Sequence, residues 1–347
     1  MGHCGYVRDN QLGKDGHVSV HSRPSLRRKL EPDGTDRLVL NMTAPLDCLV
    51  IGAGPAGLTA AIYLARFHLT VEVVHGNDSR AALIPRTRNH AGFPGGIAGS
   101  DLLERMQAQA SEFGTHFVKG IVEDLRREKD LFVARSSDNR WSARSVLLAT
   151  GVVNNCPNMP KKLHDEALAL GLLRYCPICD GYEVTDRRIA VIGTGERGVK
   201  EAVFLRMYSS DVSLISLEGA HDLTAEQRKT LENANIALHE GPCLAFGIRN
   251  QQLAVSIPEG DFAFDAVYPA LGSVIRSELA VLLGAKTSPE GCIIVDPHQR
   301  TTIPGLYAAG DVAKGLDQIS HAMGEAGVAA TAMRNDLACT RPLLRPS

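Results

Sequence analysis

Two short glycine-rich phrases, alike in spacing and in what flanks them, constrain this chain more than any other feature. The first, Gly52-Ala53-Gly54-Pro55-Ala56-Gly57, follows the apolar run Cys48-Leu49-Val50-Ile51 without a break, and Leu58, Ala61, Ile62 and Ala65 come after it at helical spacing. The second, 141 residues later, is Gly193-Thr194-Gly195-Glu196-Arg197-Gly198 after Ile189-Ala190-Val191-Ile192, with Ala202 and Leu205 where the first copy has Ala61 and Leu64. Another apolar run, Val71–Val74 or Val212–Ile215, then completes each copy. A strand that enters such a turn and leaves as a helix is a βαβ opening. Its first glycine allows the tight turn, its second lets backbone approach a pyrophosphate, and its third lets helix pack on strand, while the helix N-terminus offers unpaired N–H groups to the anion.

The expected fold is therefore α/β, with two Rossmann-like dinucleotide-binding domains of three-layer ββα build, the second inserted into the first. Val146–Gly151 and Val267–Gly272 are similar strand-to-glycine exits and mark the crossing points. A last strand, Gly305–Ala309, ends in Gly310-Asp311 and precedes a small-residue helix containing Gly324 and Gly327. These marks divide the chain into a polar N-terminal extension (1–44), a first segment of one domain (45–153), an inserted domain (154–271) and a returning segment (272–347). Between the repeats, Ser100 is expected to cap a helix carrying Leu102, Leu103 and Met106 and ending near Gly114.

Composition excludes several classes of function. With 37 basic and 39 acidic side chains in 347 residues, the chain has no excess charge for nucleic acid or an anionic membrane. No apolar run approaches the ~20 residues needed to cross a bilayer. Arg27 and Arg28 are followed by Lys29, Glu31 and Asp33 where an export signal needs an apolar stretch. Eight cysteines are too dilute for a disulfide scaffold and suit a reducing, cytoplasmic setting. The extension could be a disordered arm or precede a start at Met42.

Cys176 and Cys179 alone are paired, in Tyr175-Cys176-Pro177-Ile178-Cys179-Asp180-Gly181. Zinc would need further ligands at suitable spacing, and Cys4, Cys48, Cys156, Cys243, Cys292 and Cys339 are scattered, so no metal site is expected. Two cysteines on the first turn of a helix can form a disulfide, Pro177 suits the first helical position, and the helix N-terminus favours a thiolate. Redox chemistry is the expectation, with Asp180 placed to exchange a proton with a thiol. Asp78 stands where a ribose-binding acid is expected after the first fingerprint. In the second copy that place is Ser216-Leu217-Glu218, and Glu218 would repel a 2′-phosphate, which favours NADH over NADPH if a nicotinamide nucleotide binds there.

The order of these parts resembles the low-molecular-weight thioredoxin reductases: a GxGPAG fingerprint, an ATG crossing, a CxxCDG pair, an inserted GxGxxG fold and a terminal AAGD strand, over about residues 46–338. The resemblance implies a homodimeric flavoprotein that passes electrons from NAD(P)H through FAD to the Cys176–Cys179 disulfide, and on to a thioredoxin-like protein or small-molecule disulfide. Cys179 would face the flavin, Cys176 would exchange with substrate, and Asp180 would be the acid. Gly52, Gly54, Pro55, Ala56, Gly57, Asp78, Asn89, Thr150, Gly151, Gly310, Asp311, Gln318 and Ile319 would hold FAD, and Gly193, Gly195, Gly198 and Glu218 the nucleotide. In the family the inserted domain rotates, so that nicotinamide and cysteine pair take turns at one flavin face.

The departures bear on substrate. The basic HRR-type cluster that reads NADPH is replaced by Ser216-Leu217-Glu218, and Asp317 stands where the family usually has Arg. Two alternatives follow: a dithiol oxidase that uses FAD and oxygen without a nucleotide, and a redox-responsive binding module. His90, His298 and His321 are expected to be packing or surface residues, the last lying near the flavin helix. Arg86 and Arg88 are candidates to approach the FAD phosphates.

Overall fold

The structure, a computed structural model, describes residues 44–76 and 79–344. The N-terminal extension up to residue 43 and the expected ribose acid Asp78 lie outside the described residues. The fold is mixed α/β with two parallel sheets. In the first, Leu46–Ile51 lies between Val71–His75 and Arg140–Leu148, His116–Lys119 pairs beyond Val71–His75, and Asp124–Glu128 and Leu131–Arg135 extend the far edge antiparallel. Leu306–Ala308, from near the other end of the chain, pairs parallel with the end of Arg140–Leu148. Two distant stretches of sequence thus build one sheet.

The intervening chain builds the second parallel sheet, in the order Ala237–His239, Val212–Ile215, Ile189–Ile192, Ala266–Pro269. Helix Gly195–Leu205 covers one face through Val199, Ala202 and Leu205. An antiparallel sheet, Ala245–Arg249, Gln252–Ile257 and Gly260–Phe264, covers the other with Leu253, Val255 and Phe264. The central strands of both parallel sheets are apolar at nearly every position because both of their faces are covered. The chain crosses between the sheets through a short antiparallel pair, Val152–Asn154 with Ser273–Ile275.

Both fingerprints form the strand–turn–helix expected of them. Helix Pro55–Arg66 starts at the first, with Pro55 in its first turn, and packs with helix Ile319–Thr340 on one face of the first sheet. The expectation at Ser100 is corrected: the helix is Gly99–Glu112, its N-cap is Ala98, and the Ser100 hydroxyl bonds Asp101 instead. Gly99 permits the earlier start, since a Cβ there would lie 1.8 Å from the Ala81 carbonyl oxygen.

Candidate redox-active site

The first glycine turn is shaped by contacts that no side chain could share. Gly52 has φ +114°, and a Cβ on it would lie 2.1 Å from the Ala149 carbonyl oxygen; on Gly57 it would lie 1.9 Å from that of Gly52. This brings the end of Leu46–Ile51, the exit Ala149-Thr150-Gly151 and the start of the helix into one wall. Gly54 caps that helix without any side-chain bond, so its first N–H groups keep their capacity for an anion.

That wall borders a cavity of about 1170 Å³. Gly52, Gly54, Pro55, Ala56, Asn89, Thr150, Gly151, Cys176, Cys179, Asp180, Gly310, Asp311, Gln318 and Ile319 all line it, whereas Gly57 packs beneath the turn. Gly193, Gly195, Gly198 and Glu218 belong to the second sheet's turns and do not line it. A turn too tight for any Cβ, free helical N–H groups and the Asp311 carboxylate on the same cavity fit the pyrophosphate and polyol of FAD.

The cysteine pair enters this cavity from the inserted chain. Cys176 is the N-cap of the short helical turn Pro177–Asp180, and its Sγ accepts the Cys179 N–H at 3.2 Å. The two sulfurs form a disulfide with Cα atoms 5.2 Å apart, and both cysteines are half-buried. Gln318, at the start of the last helix, places Nε2 3.3 Å from both sulfurs, and its Oε1 accepts from Asn89 Nδ2 at 3.0 Å. Asn89 also reaches the Ile178 carbonyl. Three segments far apart in sequence therefore meet on the disulfide.

Asp180 faces inward. Its carboxylate pairs with Arg174 Nη1 at 2.9 Å and accepts from the buried Tyr268 hydroxyl at 2.9 Å. Burial pushes its carboxyl above the ordinary value, while Arg174 and Tyr268 pull the other way. Neither partner was legible in the sequence; Arg174 stands two residues before the pair, and Tyr268 lies in the strand Ala266–Pro269.

A third residue that sequence reading missed is Arg80. Its Nη1 bridges Asp311, at 3.0 Å, and Asp317, at 2.9 Å. Asp317 in place of the usual Arg was the available signal, because a second acid beside Asp311 requires a cation. Burial and then Asp317 raise the Asp311 carboxyl, and Arg80 opposes them. Gly310 has φ +77° and donates its N–H to Glu325 at 2.7 Å. Thr150 Oγ1 donates to the Arg276 carbonyl, tying the crossing together.

The other candidates also have defined places. Arg86 donates to the Gly95 carbonyl, and Arg88 pairs with Glu183 of the inserted chain, although both border the cavity. His90 stacks on Phe93 at 5.5 Å, the His298 N–H bonds Asp296, and His321 lies 3.0 Å from Glu325. In the second turn, Thr194 Oγ1 accepts the Asp222 N–H at 2.9 Å and touches His221, so the loop after Val212–Ile215 folds against the fingerprint. Glu218 is exposed on that loop, and the Gly241 N–H bonds Gly219 beside Glu240. Among the described residues no helix is long and apolar enough to cross a membrane, and no group of three His, Cys, Asp or Glu could hold a metal ion.

Comparison with known proteins places this geometry in context. The family model described as pyridine nucleotide-disulphide oxidoreductase matches residues 46–326. A thioredoxin reductase from Mycolicibacterium smegmatis is 32% identical over 278 residues, covering 77% of this chain and 88% of its own. Among solved structures, HlmI is 31% identical with a TM-score of 0.78, covering 85% of this chain and 93% of its own. The thioredoxin reductase of Streptococcus pyogenes MGAS5005 is 26% identical with a TM-score of 0.78, covering 85% and 99%.

Proposed function

The chain belongs to the pyridine nucleotide-disulphide oxidoreductases and is a thioredoxin reductase-like, FAD-dependent enzyme, and from that premise we propose that it reduces an external disulfide through Cys176 and Cys179. The observation that carries this reading is the contact of both sulfurs with Gln318, at the cavity that the first glycine turn also lines. FAD, held by that turn together with Asp311, supplies the two-electron chemistry linking a reduced nicotinamide nucleotide to the disulfide.

The chain's own residues do the rest. Once the pair is reduced, the Cys179 N–H stabilises charge on the Cys176 sulfur, which attacks the substrate disulfide and forms a mixed disulfide. Cys179 then attacks Cys176, and the substrate leaves as a thiol. Asp180, raised by burial, gives the leaving sulfur a proton, and Arg174 and Tyr268 keep its carboxyl in one position. Substrate must reach a pair that faces the cavity. The short crossing Val152–Asn154/Ser273–Ile275, flanked by Gly151 at φ +65° and Gly272 at φ +80°, is the hinge about which the inserted domain turns.

The substrate class is a thioredoxin-like protein or small-molecule disulfide. The donor is NAD(P)H, with NADH favoured because Glu218 and Glu240 stand where a 2′-phosphate would need cations. A homodimer in a reducing cytoplasm completes the reading; Tyr63, Phe67 and Val328, exposed on helices Pro55–Arg66 and Ile319–Thr340 or just beyond them, offer it an apolar surface. The test is anaerobic titration of the purified yellow protein with NADH and then NADPH, followed by disulfide turnover. Bleaching of the flavin, turnover abolished by alkylating the prereduced enzyme, and a Cys179→Ser variant that still bleaches but does not turn over are expected. Turnover that survives alkylation would refute the cysteine relay. A flavin that neither nucleotide bleaches, but that a dithiol bleaches and oxygen restores, would replace the reductase with an oxidase.

A further inference from the structure

A separate sulfur site borders the flavin cavity, which Tyr175 also lines, where the loop after Val152–Asn154, helix Lys161–Ala169 and the residue preceding the redox pair come together. Cys156 is exposed, and its Sγ lies 3.0 Å from the Tyr175 hydroxyl and 3.6 Å from His164 Nε2. His164 Nε2 is in turn 2.9 Å from the same hydroxyl, and its Nδ1 is 3.3 Å from the Asp165 carboxylate. Thiol, phenol and imidazole thus form a closed triangle, with a carboxylate behind the imidazole.

The proton positions are consistent in both charge states. In the neutral state Asp165 favours the Nδ1–H tautomer, so Nε2 accepts the Tyr175 hydroxyl at 2.9 Å and the thiol donates to the Tyr175 oxygen at 3.0 Å, a path along which the thiol's proton charge passes to the imidazole. After that transfer the imidazolium donates to the Tyr175 oxygen, Tyr175 donates to the thiolate, and Asp165, itself paired with Lys161, accepts from the ring's Nδ1. Burial, followed by the contact with Cys156, raises the Tyr175 phenol well above its ordinary value, so it remains a donor. A nucleophile, a base within reach of it and a third group orienting the base are the parts that activate a cysteine.

We propose that Cys156, with His164 as base and Tyr175 as donor to sulfur, is a second thiol–disulfide exchange site that takes low-molecular-weight disulfides and forms a mixed disulfide. In the step, His164 Nε2 receives the thiol proton as Sγ attacks one sulfur of the small disulfide. That disulfide's S–S bond breaks as the Sγ–S bond forms; the Cys156 sulfur is oxidised and the departing sulfur reduced. The departing thiolate takes the proton from His164, and a small thiol reverses the sequence. The step needs neither FAD nor the Cys176–Cys179 pair, so it stands apart from the reductase reading.

The other free cysteines supply internal controls. Cys339 is also exposed, but no hydroxyl or imidazole contacts its sulfur in the described residues. Burial raises the Cys243 thiol to about 11 and the Cys48 thiol to about 12, which keeps both unreactive. The full-length wild-type protein, with its redox pair oxidised, is incubated with oxidised glutathione, quenched over time and mapped by peptide mass spectrometry. Cys156 should acquire the adduct at least about tenfold faster than Cys339, a modest share of what a positioned base contributes. His164→Gln and the near-isosteric Tyr175→Phe should each slow Cys156 several-fold and leave Cys339 unchanged. Equal rates at Cys156 and Cys339, or a Cys156 rate indifferent to both substitutions in folded protein, would overturn the proposal.

Discussion

The two glycine turns share a spacing, yet they meet different constraints. In the first, Gly52 and Gly57 stand against backbone oxygens at 2.1 and 1.9 Å from where a Cβ would be. In the second, the nearest atoms are 3.1 Å from Gly193, 3.0 Å from Gly198 and 3.9 Å from Gly195. The first turn is closed by backbone on backbone, and only glycine can stand there. The second is looser, and its character comes from side chains: Thr194 bonded to the following loop, Glu196 paired with Lys200, and Arg197 set against Gly272. One fingerprint therefore supports two designs, one fixed by sterics and the other tuned by charge.

The sharpest test substitutes the third glycine of each. Gly57→Ala forces a methyl into the Gly52 carbonyl and should cost on the order of 4 kcal/mol or more, so the protein should unfold or purify without flavin. Gly198→Ala meets the Gly193 carbonyl carbon at 3.0 Å and Leu214 at 3.2 Å, which must give by only a few tenths of an ångström, and should cost about 1–2 kcal/mol, leaving flavin content unchanged. Comparable losses in both, read by thermal melts and visible absorbance, would erase the distinction. Next in size is Arg174→Leu, which strands the Asp180 carboxylate inside the inserted domain and should cost about 3–5 kcal/mol. It should also raise the Asp180 carboxyl further, which moves the alkaline limb of disulfide turnover, where this acid loses its proton, to higher pH. Tyr268→Phe should do both more weakly.

Glu201, on the helix of the second turn, adds a pH test. Burial raises its carboxyl to about 7 against the pull of Arg197, and its Oε1 is buried without a hydrogen-bond partner among the described residues. A carboxyl raised on folding binds more protons in the folded state. Its contribution is therefore present below the ordinary value near 4.5 and is lost as pH rises through about 7, by up to roughly 3 kcal/mol. The wild type should lose melting temperature between pH 5 and 8, and Glu201→Gln should flatten that slope. An unchanged slope would mean that this helix is not charge-tuned at Glu201.

The sequence made the steric design legible more fully than the electrostatic one. Strand, turn and helix at both fingerprints follow from local apolar pattern and glycine spacing, and Pro177 announced the helical turn that holds the disulfide. Ser100 misled because its neighbour Gly99 packs on Ala81, a contact made by chain that is adjacent in space but not in sequence. Arg80 and Tyr268 were missed for the same reason: each acts on an acid through a fold-level contact, spanning 231 residues for Arg80 with Asp311 and 88 for Tyr268 with Asp180, whereas Arg174 is close in sequence to Asp180 but at a spacing that neither helix nor strand turns into a side-chain pair. Residue type and spacing show where backbone must bend. They do not show which cation settles on which carboxylate.

The smallest expected effect bears on the charge-tuned turn most directly. Glu218 is exposed on the loop that folds against Thr194, with Glu240 near the same loop. A solvated acid is screened, so its influence on a bound 2′-phosphate is modest. Glu218→Arg should therefore shift the kcat/KM ratio of NADPH to NADH upward by only about three- to tenfold, mostly through KM for NADPH. The shift should shrink as salt rises, which separates charge from a change of shape. A ratio that does not move, with both nucleotides still bleaching the flavin, would put nucleotide choice on residues other than the acids of this loop.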